Sequence, residues 1–261
     1  MCRFLAYLGA PIFLDELVYT PAHSLIHQSL HATEAKTETN GDGFGLGWYG
    51  DRTEPGIYHE VLPAWSDQNL RSLCGQIRSR LFFAHVRAST GTALSRSNCH
   101  PFRHQADLFM HNGQIGGYRH LKRQIETVLP DTLYEHRLGT TDSEALFLMA
   151  LANGLRDEPI AAMERTLGTV QSMLDRAGIT EPLRFTSCYT NGETLWAYRW
   201  ASDDKAPSLY YREEEGGYLV VSEPIDEGTK CWNVVPKQSV LRVDAGGIHI
   251  EPMSIGYGVA A

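Results

Sequence analysis

The chain has 261 residues, of which 43% are hydrophobic and 21% are charged, and its formal net charge at pH 7 is −8. This length can bury a sizeable core, in one large domain or two small ones. An acidic chain without a basic run does not suit nucleic acid or an anionic membrane as its main partner.

The cysteines are scattered and form no Cys-x-x-Cys pair, which disfavours a disulfide framework or a structural zinc site and suits a reducing cytoplasm. The first residues lack the layout of a signal peptide, and no apolar run approaches the ~18 residues of a membrane span. We therefore expect a cytoplasmic protein that does not enter a membrane. The five cysteines are Cys2, Cys74, Cys99, Cys188 and Cys231.

The first eight residues are apolar and aromatic and contain no glycine or proline, so they predict a β-strand that is tied into a sheet. Removal of Met1 would leave Cys2 with both a thiol and a free α-amino group. The amine has an ordinary pKa of about 7.7–8.0 and can act as the base for the thiol, whose ordinary pKa is about 8.5. The simpler interpretation of Cys2 is a small buried residue in an edge strand.

A predicted turn at Gly9–Pro11 and a predicted surface loop at His31–Asn40 precede a glycine-rich segment, Gly41–Gly50. Its G-x-G-x-x-G pattern matches a dinucleotide-binding fingerprint, but Asp51–Gly56 occupies the place where a helix should begin, which rules out a Rossmann fold. We predict instead a glycine-rich strand with large side chains on one face. The bare backbone of its other face is open to close approach by a strand or a ligand.

Hydrophobic periodicity and turn signals define the remaining elements. Thr141-x-x-Glu144 has the form of a capping box at the start of a buried helix, and Asp244–Gly247 has the form of a hairpin turn. Predicted helices are Asp67–Arg80, Gly117–Leu129, the helix opened by Thr141, and Pro159–Ala177. Predicted strands are Ile57–Leu62, Leu81–Arg87, Leu108–His111 ending at Asn112-Gly113, Leu183–Tyr189, Thr194–Trp200, Tyr218–Val221, Ser239–Val243 and Ile248–Glu251.

Four short motifs stand out in order along the chain: Cys2, Arg87 within His85–Thr90, His111-Asn112-Gly113, and Thr141–Glu144. In order and spacing they resemble the glutaminase domain of class II glutamine amidotransferases, a branch of the N-terminal nucleophile hydrolases. The glycine strand and the Asn98–Phe102 loop are also similar to that family. Among the members of the family, the chain resembles the single-domain type related to the γ-glutamyl hydrolase of the ergothioneine pathway. Val221–Pro224 is similar to that group and would extend the resemblance over most of the chain.

The resemblance implies an α+β fold, a four-layer αββα sandwich of two mainly antiparallel sheets between helices, formed by one domain over residues 2–261. It implies that Cys2 attacks the γ-carbonyl of glutamine or another small γ-glutamyl compound and forms a γ-glutamyl thioester, which water hydrolyses. It implies no metal and no organic cofactor. A homo-oligomer, or a separate synthase subunit that receives ammonia, is compatible with this resemblance.

The resemblance also assigns roles within the site. The side-chain amide of Asn112 and the backbone N–H of Gly113 would form an oxyanion hole. Arg87 would bind the substrate α-carboxylate with two parallel hydrogen bonds, which lysine cannot provide, and Asp142 would pair with the α-ammonium group. Further substrate-binding residues are His111, Ser89 and Thr90.

Each motif also has a simpler interpretation, and one departs from the family pattern. Asn112-Gly113 is the commonest hairpin turn, Asp142 suits a helix start, and Arg87 could be an ordinary ion-pair partner. Many family members carry an aromatic residue and then Ala-Thr-His-Gly after the arginine, whereas this chain has Ala88–Gly91. The leaving group can therefore differ from the ammonia of glutamine.

Three other functions are compatible with the sequence. The chain could supply ammonia to a separate synthase, bind a metal without amidase activity, or serve as a catalytically inactive binding scaffold. The metal hypothesis depends on the ligand-like spacing His100-x-x-x-His104, although Pro101 disfavours the helix that this spacing needs. Its ligands would be His85, His100, His104 and His111, with help from Cys99.

Overall fold

A computed structural model of the chain describes residues 2–33, 39–89, 91–203, 205–226 and 232–256. These residues contain thirteen β-strands and seven α-helices. The strands are β1 (Arg3–Phe13), β2 (Phe44–Trp48), β3 (Gly56–Glu60), β4 (Arg78–Val86), β5 (Phe102–His104), β6 (Asp107–Gln114), β7 (Arg184–Thr190), β8 (Leu195–Ala201), β9 (Tyr210–Glu214), β10 (Gly217–Val221), β11 (Asn233–Val234), β12 (Ser239–Asp244) and β13 (Gly247–Pro252). The helices are α1 (Asp15–Val18), α2 (Leu25–Leu30), α3 (Gln68–Cys74), α4 (Tyr118–Thr127), α5 (Asp131–Tyr134), α6 (Asp142–Ala152) and α7 (Pro159–Arg176).

The strands form two antiparallel sheets. The larger sheet has the order β11-β9-β10-β1-β4-β2-β3, and the smaller has the order β13-β12-β8-β7-β6-β5. One core cluster lies between the sheets, a second joins the larger sheet to α1, α2 and α3, and a third joins the smaller sheet to α4, α6 and α7. This arrangement confirms the predicted αββα sandwich.

Strand β1 lies in the middle of the larger sheet, between β10 and β4. Its side chains alternate, because Phe4 and Ala6 belong to the cluster between the sheets whereas Leu5 and Tyr7 belong to the cluster under the helices. A strand that is buried on both faces needs a continuous apolar sequence, which explains the composition of the first eight residues. The prediction of an early strand tied into a sheet is therefore confirmed.

Two predicted boundaries are wrong. The turn predicted at Gly9–Pro11 is an irregularity inside β1, where the register with β4 shifts between Leu8 and Ile12. The strand continues because Ala10 still donates a backbone hydrogen bond to Gly216. The helix predicted over Asp67–Arg80 ends at Cys74, since Gly75 caps it and residues from Arg78 onward pair in β4.

The Asn112-Gly113 pair lies inside β6 and forms no turn. Asn112 pairs with Thr186 and Gly113 with Phe185 of β7, so the local turn preference is overridden by pairing along the whole strand. Strand β5 reaches only as far as Phe109 on the opposite side of β6. In the described sheet, β6 therefore has a backbone edge without a strand partner from Met110 onward.

Helix α6 is buried along nearly its whole length, as predicted. The hydroxyl of Thr141 caps it by accepting a hydrogen bond from the N–H of Glu144. The Glu144 carboxylate does not return to Thr141, but accepts hydrogen bonds from the N–H groups of Leu138 and Gly139 and pairs with Arg137. Only half of the predicted capping box therefore forms.

The glycine-rich strand is confirmed as β2. A side chain added at Gly45 would collide with the carbonyl oxygen of His100, and one added at Gly47 would lie 2.7 Å from the Pro101 ring. The bare face of β2 is thus covered by the segment before β5, and neither a strand nor a ligand is needed there. Of the helices in the described ranges, none is long and apolar enough to cross a membrane.

Candidate active site

A cavity of about 210 Å³ lies where β1, β4, β6 and α6 meet. The structure brings together around it the predicted residues from all four motifs. Thr90, the other predicted binding residue, lies outside the described residues. The predicted residues that line the cavity are Cys2, Arg87, Ser89, His111, Asn112, Gly113 and Asp142.

Cys2 lies directly before β1 with its thiol next to the chain that leaves β4. The N–H of Ala88 donates to the Cys2 sulfur at 3.4 Å, and the carbonyl oxygen of Ala88 lies 3.6 Å from the same atom. Burial raises the pKa of the Cys2 thiol, while the Ala88 N–H and the charges of Arg87 and Arg3 act to lower it. A base close to the sulfur would therefore be needed to form the thiolate near neutral pH.

Asn112 and Gly113 line the cavity from the open edge of β6. The amide nitrogen of Asn112 is buried and has no hydrogen-bond partner among the described residues. A side chain at position 113 would collide with the carbonyl oxygen of Arg184 and with Nε2 of His111. The site therefore requires glycine at this position for steric reasons and presents an unpaired N–H donor beside it.

Arg87 directly follows β4 and is buried. Its Nη1 donates to the carbonyl oxygen of Asp42 at 3.1 Å, and its Nη2 donates to Thr92 Oγ1 at 2.5 Å and to Ser89 Oγ at 3.3 Å. The carboxylate of Asp42 accepts a hydrogen bond from the N–H of Ser89 at 2.7 Å. The guanidinium thus holds one wall of the cavity in place.

Asp142 is the first residue of α6, and its carboxylate accepts hydrogen bonds from the N–H groups of Ile115 and Ser143 at 2.8 and 2.9 Å. It is held at the end of β6 and at the amino-terminal end of α6, where the helix dipole favours a negative charge. A carboxylate fixed in this way can accept an ammonium group from the cavity side.

His111 is oriented by both of its ring nitrogens. Nε2 lies 3.4 Å from the carbonyl oxygen of Arg184 and must carry the proton, so Nδ1 accepts from the Ser143 hydroxyl at 2.8 Å. Burial lowers the pKa of His111, although the Asp142 carboxylate opposes this effect. The ring is therefore neutral and supports the wall formed by β6 and α6.

The four histidines of the metal hypothesis do not form one site. His85 and His100 pack together with ring centroids 4.3 Å apart, whereas His104 packs against His136 at 4.7 Å and His111 is held by Ser143. The part of the chain that the structure describes contains no group of three or more His, Cys, Asp or Glu side chains placed to hold a metal ion. His100 and His111 line the same cavity, but among the described residues the four histidines do not come together as one ligand set.

Several residues that line the cavity have no role in the substrate site that the sequence predicts. Ser143 lies within a quoted motif, and its contact with His111 could have been found only from the packing of α6 on β6. Arg184 and Pro207 carry no local signal, since the pairing of β7 with β6 and the chain after β8 bring them to the cavity. The additional lining residues are Ala88, Thr92, His100, Gln114, Thr141, Ser143, Arg184 and Pro207.

Sequence comparison agrees with this geometry. A profile of the class-II glutamine amidotransferases matches residues 18–211. The chain is 33% identical over 306 aligned positions to the probable glutamine amidotransferase DUG3 of Saccharomyces cerevisiae, covering 98% of this chain and 85% of that protein. It is 28% identical over 255 positions to the gamma-glutamyl-hercynylcysteine sulfoxide hydrolase of Mycolicibacterium smegmatis, covering 97% and 100%.

Solved structures show the same relationship. The glutamine aminotransferase class-II domain protein of Silicibacter pomeroyi is 35% identical and matches with a TM-score of 0.80 over 98% of this chain and 100% of that one. The glutamine phosphoribosylpyrophosphate amidotransferase of Bacillus subtilis matches with a TM-score of 0.68 over 98% of this chain and 50% of that one, and at 15% identity it shares the fold alone. This chain belongs to the class II glutamine amidotransferase family.

Proposed function

We propose that this chain is a γ-glutamyl amidohydrolase that uses Cys2 as an amino-terminal nucleophile. Removal of Met1 frees the α-amino group of Cys2, which takes the proton from the thiol. The sulfur attacks the γ-carbonyl carbon of the substrate, and the oxyanion accepts hydrogen bonds from Asn112 and Gly113.

The tetrahedral intermediate collapses when its C–N bond breaks. The departing amine takes the proton held by the α-amino group and leaves a γ-glutamyl thioester on Cys2. Water then attacks the thioester carbonyl while the α-amino group accepts its proton. The C–S bond breaks, the sulfur regains a proton, and glutamate is released.

The observation that carries this proposal is the unpaired amide nitrogen of Asn112, which lines the same cavity as the Cys2 thiol. Buried polar groups in proteins are nearly always hydrogen-bonded, and exceptions concentrate at functional sites. An N–H donor that lacks a protein partner beside a nucleophile is the arrangement that an oxyanion hole needs.

Arg87 and Asp142 supply recognition of the glutamyl end in this proposal. The guanidinium of Arg87 pairs with the substrate α-carboxylate, and the carboxylate of Asp142 pairs with the α-ammonium group. Ser89, Thr90 and His111 complete the binding site, with Ser89 and His111 holding its walls. A substrate without both α-substituents would lose these charged contacts.

The leaving group in this proposal is larger than ammonia. Gln114, Arg184 and Pro207 line the cavity in addition to the residues assigned to the glutamyl end. The similarity to a gamma-glutamyl-hercynylcysteine sulfoxide hydrolase supports γ-glutamyl conjugates of sulfur-containing amines as the substrate class. Such a reaction needs neither a metal nor an organic cofactor.

The test measures glutamate release by the purified chain from glutamine and from γ-glutamyl thioether and sulfoxide conjugates. Intact-mass spectrometry establishes whether Met1 is removed, and a glutamine analogue with a diazoketone in place of the amide labels the nucleophile. We expect the label on Cys2 and higher kcat/KM for the conjugates. Cys2→Ser should abolish labelling, whereas Cys74→Ser, which alters a buried thiol among the helices, should not.

Other results would contradict the proposal. A retained Met1, an unlabelled Cys2, or full activity in Cys2→Ala would overturn it and favour an inactive scaffold. Glutamate release that appears only when a co-purifying synthase is present would favour the ammonia-supplying subunit.

A further inference from the structure

Arg3, the residue after Cys2, places a charged group in the interior. Its side chain is fully buried and lies on the same face of β1 as Leu5 and Tyr7, under the helices. Burying a guanidinium is costly unless it is paired and fully hydrogen-bonded. The arrangement around it therefore calls for an explanation.

The partners of Arg3 come from both ends of the chain. Its Nε donates to Oε2 of Glu223 at 2.5 Å, and its Nη1 donates to the carbonyl oxygen of Cys2 at 2.8 Å. Oε1 of Glu223 accepts from Nε2 of His23 at 2.6 Å and from the N–H and hydroxyl of Thr33 at 2.9 and 2.7 Å. A chain of hydrogen bonds thus runs from His23 and Thr33 to the backbone of Cys2.

The Glu223 side chain is 2% exposed but stays ionised. Burial on its own raises the pKa of Glu223, but the hydrogen bonds from His23 and Thr33 and the charge of Arg3 outweigh it and lower the pKa to about 2. The pair therefore keeps both charges at neutral pH. Replacing such a pair with well-packed apolar residues is often neutral or stabilising, so stability alone does not explain its presence.

Apart from the contacts of its thiol with Ala88, Cys2 has few other restraints among the described residues. The pairing of β1 with β4 begins at Arg3, opposite Val86, so Cys2 lies outside the ladder. A chain end without sheet partners frays unless another group holds it. The hydrogen bond from Arg3 fixes the carbonyl oxygen of Cys2, and a planar peptide bond carries that restraint to the Cys2 Cα.

We propose that Arg3 and Glu223 are positioning residues for the nucleophile. The Glu223 carboxylate holds the Arg3 guanidinium, which holds the carbonyl of Cys2 and so directs its thiol and α-amino group towards Asn112. Neither residue touches the substrate. This inference rests on the proposed function, since it assigns the two residues to the orientation of Cys2.

The test uses the full chain with Glu223→Gln, which keeps the shape and removes the charge, and Arg3→Met, which keeps the apolar length. Because small misplacements of reacting groups cost about 100-fold in rate, we expect kcat to fall by about that factor. KM should change by less than about two-fold, since the glutamyl-binding residues are unaltered. Alkylation of Cys2 by iodoacetamide, followed on its own peptide across pH, should become slower with a shifted midpoint.

The matched control is Arg212→Met. Arg212 is a buried arginine of the same sheet that pairs with Asp226 and Glu214 and does not contact Cys2. We expect this variant to unfold at a lower denaturant concentration while its kcat and Cys2 alkylation stay at the parent values. Intact-mass spectrometry of every variant checks that Met1 is removed to the same extent.

Parent-like kcat in both Arg3→Met and Glu223→Gln would overturn the inference, as would a loss of kcat without any change in Cys2 alkylation. If Arg3→Met does not fold, His23→Gln and Thr33→Val test the positioning role instead, because each alters a hydrogen bond to Glu223. A partial loss of kcat in these variants supports positioning, whereas parent values of kcat overturn it. An unlabelled Cys2 in the parent protein overturns the proposed function instead. A labelled parent with unimpaired variants overturns only the positioning role.

Discussion

Asn112 combines burial, an unpaired donor and a place in the cavity next to Cys2. An unsatisfied buried polar group costs about 1–3 kcal/mol of stability. That cost becomes useful if the missing acceptor is an oxyanion that exists only during the reaction. Folding stability is then exchanged for transition-state stabilisation, which is common at active sites.

Asn112→Ala tests this exchange. We expect kcat to fall about 10²–10³-fold because one oxyanion donor is lost, with little change in KM. The free energy of unfolding should stay level or rise, since the unpaired amide is removed. Steady-state kinetics and urea unfolding provide the two measurements. The control is Asn153→Ala, which breaks a hydrogen bond to Thr166. An unchanged kcat would contradict the assigned role.

Arg87→Lys tests recognition of the α-carboxylate. Lysine cannot form two parallel hydrogen bonds, so we expect KM for glutamine to rise about 10- to 100-fold, as loss of a charged hydrogen bond predicts. The comparison substrate is 4-aminobutanamide, which has the same amide but no α-carboxylate. Its kcat/KM should hardly change between the parent and the variant. Equal losses for both substrates would assign Arg87 to the wall of the cavity alone.

At the level of elements, strand β6 shows why only part of this site can be predicted from the sequence. Local periodicity identifies the strand, but the Asn-Gly pair favours a turn, and only the partner strand β7 decides between the two. The short strands β9 and β11 were also not predicted, although β9 forms a hairpin with the next strand, β10. Strand β11 pairs with β9, which is not its neighbour in sequence. The resemblance singled out Cys2, Arg87 and Asp142 because each lies in a short local motif, whereas Arg184 reaches the cavity only through sheet register.

Thr141→Ala tests the start of helix α6. Loss of the hydroxyl cap should lower the free energy of unfolding by about 1 kcal/mol. Because the next residue, Asp142, lines the cavity, KM should rise as well. The control is Asp67→Ala, which removes the cap of α3, where the Asp67 carboxylate accepts from the N–H of Leu70. We expect both variants to lose about the same free energy of unfolding and only Thr141→Ala to raise KM. A raised KM in both variants would contradict an effect that acts through the neighbouring Asp142.

At the level of the whole molecule, the cluster between the sheets excludes water from ionisable groups as well as from apolar ones. Burial lowers the pKa of His85 to about 3 and holds that of His100 well below its ordinary value. Both rings are therefore neutral in the folded protein. The resemblance implied this layered core. The inward direction of His85 follows from its place in β4, whereas His100 lies in the segment before β5.

This burial predicts how stability depends on pH. Above pH 6.5 the His85 ring is neutral in both states and has no effect. Below pH 6.5 the His85 ring binds a proton in the unfolded chain but not in the folded chain, so the free energy of unfolding falls as the pH approaches 3. At pH 5 the loss from this ring is about 2 kcal/mol.

Urea unfolding at pH 7 and pH 5 provides the measurement. In His85→Phe the difference in the free energy of unfolding between pH 7 and pH 5 should shrink by that amount. The phenylalanine ring has a similar size but does not bind a proton. His136→Asn, which removes an exposed histidine, should leave the difference unchanged. A parent-like pH dependence in His85→Phe would show that His85 does not control it.

The central place of β1 has a consequence for biosynthesis. Its neighbour β4 ends at Val86, whereas its other neighbour, β10, begins at Gly217, so roughly 130 residues are translated between them. At about 5–20 residues per second this interval lasts roughly 6 to 26 s. A peptidase that frees Cys2 can act on the nascent chain during that time, before β10 pairs with β1. In the proposed mechanism an uncleaved amino-terminal tag would leave Cys2 without a free amine, so recombinant protein for these assays should carry its tag at the other end.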